Sequence, residues 1–169
     1  ARRARAFDMK VCAIRSQAAP TPPEGVSFVG GPEHLDDILR QSDFIAITLP
    51  LSPRTRGLLD ARRLGLMRPT ASLINVARAE IVDEMALYKA LASGRLAGAA
   101  LDVWYRYPTA PGAAQPATQT FHELPNLIMT PHISGWTEGM LEARASLITS
   151  NIERTARGEP PLSAIARAP

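Results

Sequence analysis

The chain has 169 residues, 46% hydrophobic and 21% charged, and carries a net charge of +3. That balance belongs to a globular domain able to bury a core and excludes a disordered chain. No apolar run nears the roughly 18 residues of a membrane span, and the arginines are scattered with no basic stripe, so neither membrane nor nucleic acid is expected as a partner.

Residues 2–7 read as the end of a helix and 10–15 as a short buried strand, followed by a Pro-rich loop over 19–24. Helical apolar spacing at Leu35, Ile38 and Leu39 predicts a helix over 33–41. Residues 44–49 form an apolar strand stopped by Pro50, 60–66 a short helix, and 71–76 another strand. A helix over 83–93 takes Asp83 as its N-cap, with Gly94 just past its end. Strands follow at 96–103 and 127–130, and a long helix over 135–157 is stopped by Gly158. Residues 106–123, rich in Pro, Ala, Gly and Thr, read as a surface excursion. Because the strands are near-continuous apolar runs, those at 10–15, 44–49, 71–76 and 97–103 are expected parallel in one sheet with helices on both faces. The single cysteine, Cys12, excludes an internal disulfide and fits a cytoplasmic protein; residues 1–6 (ARRARA) lack the apolar stretch of a secretion signal.

Open parallel sheets bind ligands beyond the carboxyl ends of their strands. Here those ends carry Arg15-Ser16, Pro50, Asn75-Val76-Ala77-Arg78, Asp102 and His132. Singly, each has an ordinary structural reading: a turn, a cap or a packed histidine. Their convergence on one edge is what points to a site. His34 and His122 read as surface residues, and no cluster predicts a metal.

At these positions the sequence resembles the D-isomer-specific 2-hydroxyacid dehydrogenases. The motifs are INVARAEIVDEMAL (74–87), GRLAGAALDVW (94–104), LPNLIMTPHISGWT (124–137) and LPLSPRTRGLL (49–59), in family order across nearly the whole chain. The resemblance implies a Rossmann-type dinucleotide-binding domain over 1–131. It also implies a C-terminal helix and tail over 132–169 that packs on a substrate domain. It implies hydride transfer between a nicotinamide cofactor and a D-2-hydroxy acid or its 2-oxo acid, in a homodimer. Arg78 would grip the substrate carboxylate, its planar fork suiting a bidentate hold. His132 would be the general acid for reduction and the base for the reverse. Asp102, the backbone at Val76 and Ala77, Ser134 and Gly135 would hold the nicotinamide, with Arg78 and His132 also among the cofactor-binding residues, and Leu49, Pro50 and Thr55 would line the adenine and ribose side.

The sequence departs from the family pattern in three places. The first strand and the GxGxxG loop that the family places before the helix at 2–7 are absent. The chain is therefore expected to be part of a longer protein, and alone to bind the pyrophosphate poorly. The acidic residue that ends the family's second strand is Arg15; with Ser16 it would attract a 2′-phosphate, so NADP(H) is expected over NAD(H). Tyr107 stands where the family has the Glu that partners the catalytic His, and Glu123 fits that pattern badly, so the His–carboxylate pair is expected to be missing. That loss keeps a second reading open: a cofactor-binding regulatory protein on the same fold, as the C-terminal binding protein corepressors resemble these enzymes.

Overall fold

The structure, a computed structural model, describes every residue except 18, 20, 111–114 and 165–169. Parts of the expected Pro-rich loop, of the 106–123 excursion and of the C-terminal tail therefore lie outside the described residues. The chain divides into two compact units, Ala1–His132 and Ile133–Pro169.

The first unit runs α1 (Arg2–Arg5), β1 (Cys12–Ile14), β2 (Phe28–Gly30), α2 (Leu35–Gln41), β3 (Phe44–Ile47), α3 (Ala61–Leu66), β4 (Ser72–Asn75), α4 (Glu84–Ala92), β5 (Gly98–Leu101) and β6 (Leu127–Met129). Every strand pairing is parallel. The strands do not form the single sheet expected. β3-β4-β5-β6 make one four-stranded sheet, while β1 pairs with β2 in a second, two-stranded one. An apolar run says that a strand is buried, not which neighbour it pairs with. β2 itself was not expected: its three residues, Phe28–Gly30, coming shortly after Pro22-Pro23-Glu24-Gly25, are too few to show a period.

The four-stranded sheet is in register across its carboxyl end, with Ile47 beside Asn75, Asn75 beside Leu101 and Leu101 beside Met129. Alternate residues face opposite sides. Ile47, Leu73 and Leu101 point into one buried cluster with Leu39 of α2, Leu64 of α3, and Leu87 and Leu91 of α4. Each such side chain stabilises the fold by about 1.5–3 kcal/mol through apolar burial. The residues of opposite parity include Phe44 and Ile128, which remain exposed among the described residues.

Local chemistry sets the helix ends. The side chains of Asp60 and Asp83 cap α3 and α4, accepting from the backbone N–H of Arg63 and Ala86 at 2.8 Å each. Gly94 follows α4 with φ +69°, a left-handed conformation that costs glycine least. In the second unit, α5 (Met140–Ala156) starts later than the expected 135. The chain turns before it, Trp136 N–H donating to the Ile133 carbonyl, and Gly139 sits at φ +75°. Among the described residues no helix is long and apolar enough to cross a membrane.

Asp36 of α2 ties two helices together. Its carboxylate accepts from Arg62 at 2.6 and 3.2 Å and from Arg63 Nε at 3.1 Å, both on α3. The hydrogen bond from Arg62, reinforced by Arg63 and opposed by burial, holds the carboxyl at about 2. A depressed carboxyl contributes stability above its unfolded value of about 3.9 and loses it as pH falls towards the folded one. Urea midpoints of the wild type and Asp36→Asn should therefore differ near neutrality and converge between about pH 4 and pH 2. A difference that persists at pH 2 would show that the carboxylate charge is not what joins the helices.

Candidate active site

Because β3 to β6 are parallel and in register, the segments leaving their carboxyl ends share one edge. Pro50 follows β3, Arg78 follows β4, Asp102 follows β5 and His132 follows β6. Arg15 and Ser16 leave β1, in the other sheet, and both are exposed. Ser134 and Gly135 fall in the second unit.

Asn75 shapes the turn that presents Arg78. It is 1% exposed; its carbonyl oxygen Oδ1 accepts from Ala77 N–H at 3.0 Å, and its Nδ2 donates to the Arg78 carbonyl at 3.0 Å. A buried amide satisfied in this way locks the two peptides between strand and site. Arg78 is exposed and donates one N–H to the Ala77 carbonyl, leaving the rest of its fork open among the described residues. The loop after β3 is folded by Thr55, whose hydroxyl donates to the Pro50 carbonyl at 2.7 Å and accepts from Ser52 N–H at 2.8 Å. Thr55 thus offers a ligand the shape of this turn more than a free hydroxyl. Leu49 packs against the core and Pro50 is exposed.

Asp102 is 3% exposed. Its backbone N–H donates to the Asn75 carbonyl at 3.0 Å, and its carboxylate accepts from the Thr130 hydroxyl at 2.6 Å. Thr130 is also held through its own N–H, which donates to Leu101, and through its carbonyl, which accepts from the Trp104 indole N–H at 2.9 Å. These bonds hold the residue two positions before His132. His132 itself lies at φ +59°, a left-handed conformation that costs a non-glycine residue about 1–3 kcal/mol unless its surroundings impose it.

One of those surroundings is Tyr107. Its hydroxyl lies 2.9 Å from His132 Nδ1 and 3.2 Å from the Trp104 backbone N–H, and the two rings are 5.6 Å apart. The 106–123 excursion is not simply surface. Ala117 and Phe121 are buried, and Glu84 of α4 accepts from Thr118 N–H and hydroxyl and from Gln119 N–H. Tyr105 donates to the Val82 carbonyl at 3.0 Å, and burial pushes its phenol up. Among the described residues no group of three His, Cys, Asp or Glu is placed to hold a metal ion.

Thr130 and Trp104 were not among the expected site residues, and Asn75 was named only as part of a strand end, without a role. The one local signal was an amide at the end of an apolar strand. Thr130 and Trp104 act through contacts that only the folded chain reveals.

The chain is 36% identical to the glyoxylate reductase of Thermococcus kodakarensis over 163 residues, which is 95% of this chain and 46% of that protein. It therefore spans about half the length of the curated relatives it matches. A solved NADPH-dependent glyoxylate/hydroxypyruvate reductase from Sinorhizobium meliloti, in complex with NADP and sulfate, superposes with a TM-score of 0.79 at 28% identity, covering 98% of this chain and 50% of that one. An NAD-complexed D-isomer-specific 2-hydroxyacid dehydrogenase from Lactobacillus delbrueckii ssp. bulgaricus gives a TM-score of 0.79 at 29% identity, covering 96% and 50%. The family model for the NAD-binding domain of D-isomer-specific 2-hydroxyacid dehydrogenases matches residues 1–134, and with these strand-end residues in family order the chain belongs to that family.

Proposed function

We propose that the protein carrying this chain transfers a hydride between a nicotinamide cofactor and a D-2-hydroxy acid or the matching 2-oxo acid. The observation that supports this reading is the sharing of one sheet edge by Arg78, Asp102 and His132, with Tyr107 bonded to the imidazole. Arg78 binds the substrate carboxylate and draws charge from the adjacent carbonyl. His132 gives a proton to the carbonyl oxygen in reduction and takes it back in the reverse direction. The donor set fits a nicotinamide: Asp102 is an acceptor for a carboxamide N–H, and Val76, 41% exposed, offers an apolar surface. The backbone at Ala77 adds to that side, and Leu49, Pro50 and the Thr55 turn line the adenine and ribose side. When bound, the reduced nicotinamide supplies the hydride.

The test is cofactor oxidation on adding glyoxylate, hydroxypyruvate, phenylpyruvate or another 2-oxo acid, with NADPH and with NADH. Turnover of at least one acid is expected. A protein that binds NADPH yet oxidises none of it with any acid would be a regulatory binder on the same fold, the reading that Tyr107 in the usual Glu place keeps alive.

The cofactor preferred in this reading is NADP(H). Arg15, exposed after β1 and followed by Ser16, is a donor pair for a 2′-phosphate. NADPH should bind more tightly than NADH, and Arg15→Asp should reverse the order. A charge-assisted contact of about 1.5–3 kcal/mol makes the swing at least about tenfold. Equal affinities in the wild type would refute the assignment. The same reading takes the second unit as the helix and tail that join a substrate domain, and the protein as a cytoplasmic homodimer acting on a small acid.

A further inference from the structure

We propose that Tyr107 is a positioning residue that holds neutral His132 in the Nε2–H tautomer, leaving a proton donor on the ring nitrogen that Tyr107 does not touch. The inference about the ring stands on geometry; its meaning for catalysis rests on the reading of His132 as the proton-transferring residue.

Donors and acceptors at one oxygen fix the tautomer. The Tyr107 hydroxyl has one proton and two lone pairs. A backbone N–H can only donate, so the oxygen accepts from Trp104 at 3.2 Å. The second partner is His132 Nδ1 at 2.9 Å, where either group could in principle donate. A phenol is a stronger donor than a neutral imidazole N–H, and an imidazole nitrogen is a stronger acceptor than a phenol oxygen. With one lone pair already engaged, the phenolic proton points at Nδ1. A neutral imidazole carries one proton, so it must then sit on Nε2.

A carboxylate at this place would do the opposite. It only accepts, so it would hold the proton on Nδ1 and leave a lone pair on Nε2. The phenol therefore inverts the resting tautomer. A carbonyl oxygen, which only accepts, meets the Nε2–H without any proton rearrangement. When the ring is doubly protonated, Nδ1–H can donate to the other lone pair of Tyr107 once the hydroxyl rotates. The bond thus survives in the imidazolium as well.

Nitrogen-15 NMR of selectively labelled histidine in the intact protein reads the tautomer directly, above the pH where the ring is protonated. The wild type should show His132 as a single Nε2–H species. Tyr107→Phe keeps the ring and removes only the hydroxyl, so a measurable Nδ1–H fraction should appear, as in a free imidazole. Nδ1–H as the main species in the wild type, or a tautomer population unchanged in Tyr107→Phe, would overturn the proposal. The wild-type spectrum decides alone if the variant does not fold. Turnover retained in His132→Asn would remove the catalytic reading without touching the tautomer result, so the two failures are distinguishable.

Discussion

Replacing His132 by Asn should lower kcat for 2-oxo acid reduction by about 10²- to 10⁴-fold, the usual contribution of a positioned general acid. Asn is the informative choice because the backbone here is at φ +59°, and Asn adopts the left-handed region more readily than other residues of similar size. The segment from Thr130 to His132 should keep its path, held at Thr130 by the bonds with Asp102 and Trp104. Cofactor affinity should change much less than kcat, because proton transfer is the imidazole's main assigned role. Stopped-flow reduction with saturating cofactor separates the two. A variant with wild-type kcat would remove His132 from the chemistry.

Arg78→Lys should lower kcat/KM roughly 10- to 100-fold while leaving cofactor affinity almost unchanged. The substitution keeps the positive charge but loses the planar fork, and a charge-assisted hydrogen bond is worth about 1.5–3 kcal/mol. The turn that carries Arg78 is held by the Asn75 side chain through backbone groups, so the lysine variant should leave it intact. Loss in kcat/KM without loss of folding is then attributable to the carboxylate contact. Unchanged kinetics would make Arg78 a turn residue.

Much of this arrangement was legible wherever a residue's role is set by its neighbours in sequence. Asp83 as a cap and Gly94 as a stop follow from backbone chemistry within one helical turn. The placement of Arg78, Asp102 and His132 followed from strand ends in a parallel sheet, because parallel strands bring all their carboxyl ends to one edge. Illegible were the features built from distant partners. The pairing of β1 with Phe28–Gly30, the bond from Thr130 to Asp102 and that from Trp104 to Thr130 join segments by hydrogen bonds that leave no period in the sequence. The late start of α5 was missed because the apolar spacing continues through residues where Gly139 takes a left-handed turn. Tyr107 is an intermediate case. Its position came from the family pattern, while its 2.9 Å contact with His132 came only from the fold.

On the proposed reading this sheet edge recognises a 2-oxo acid by its carboxylate and reduces the carbonyl beside it. The most direct measurement compares NADPH oxidation by the protein with a 2-oxo acid and with the methyl ester of the same acid, in wild type and in Arg78→Lys. Turnover of the acid and little of the ester is expected, with most of that discrimination lost in the variant as acid turnover falls. Equal turnover of acid and ester by the wild type, or an acid preference that survives unchanged in Arg78→Lys, would contradict it.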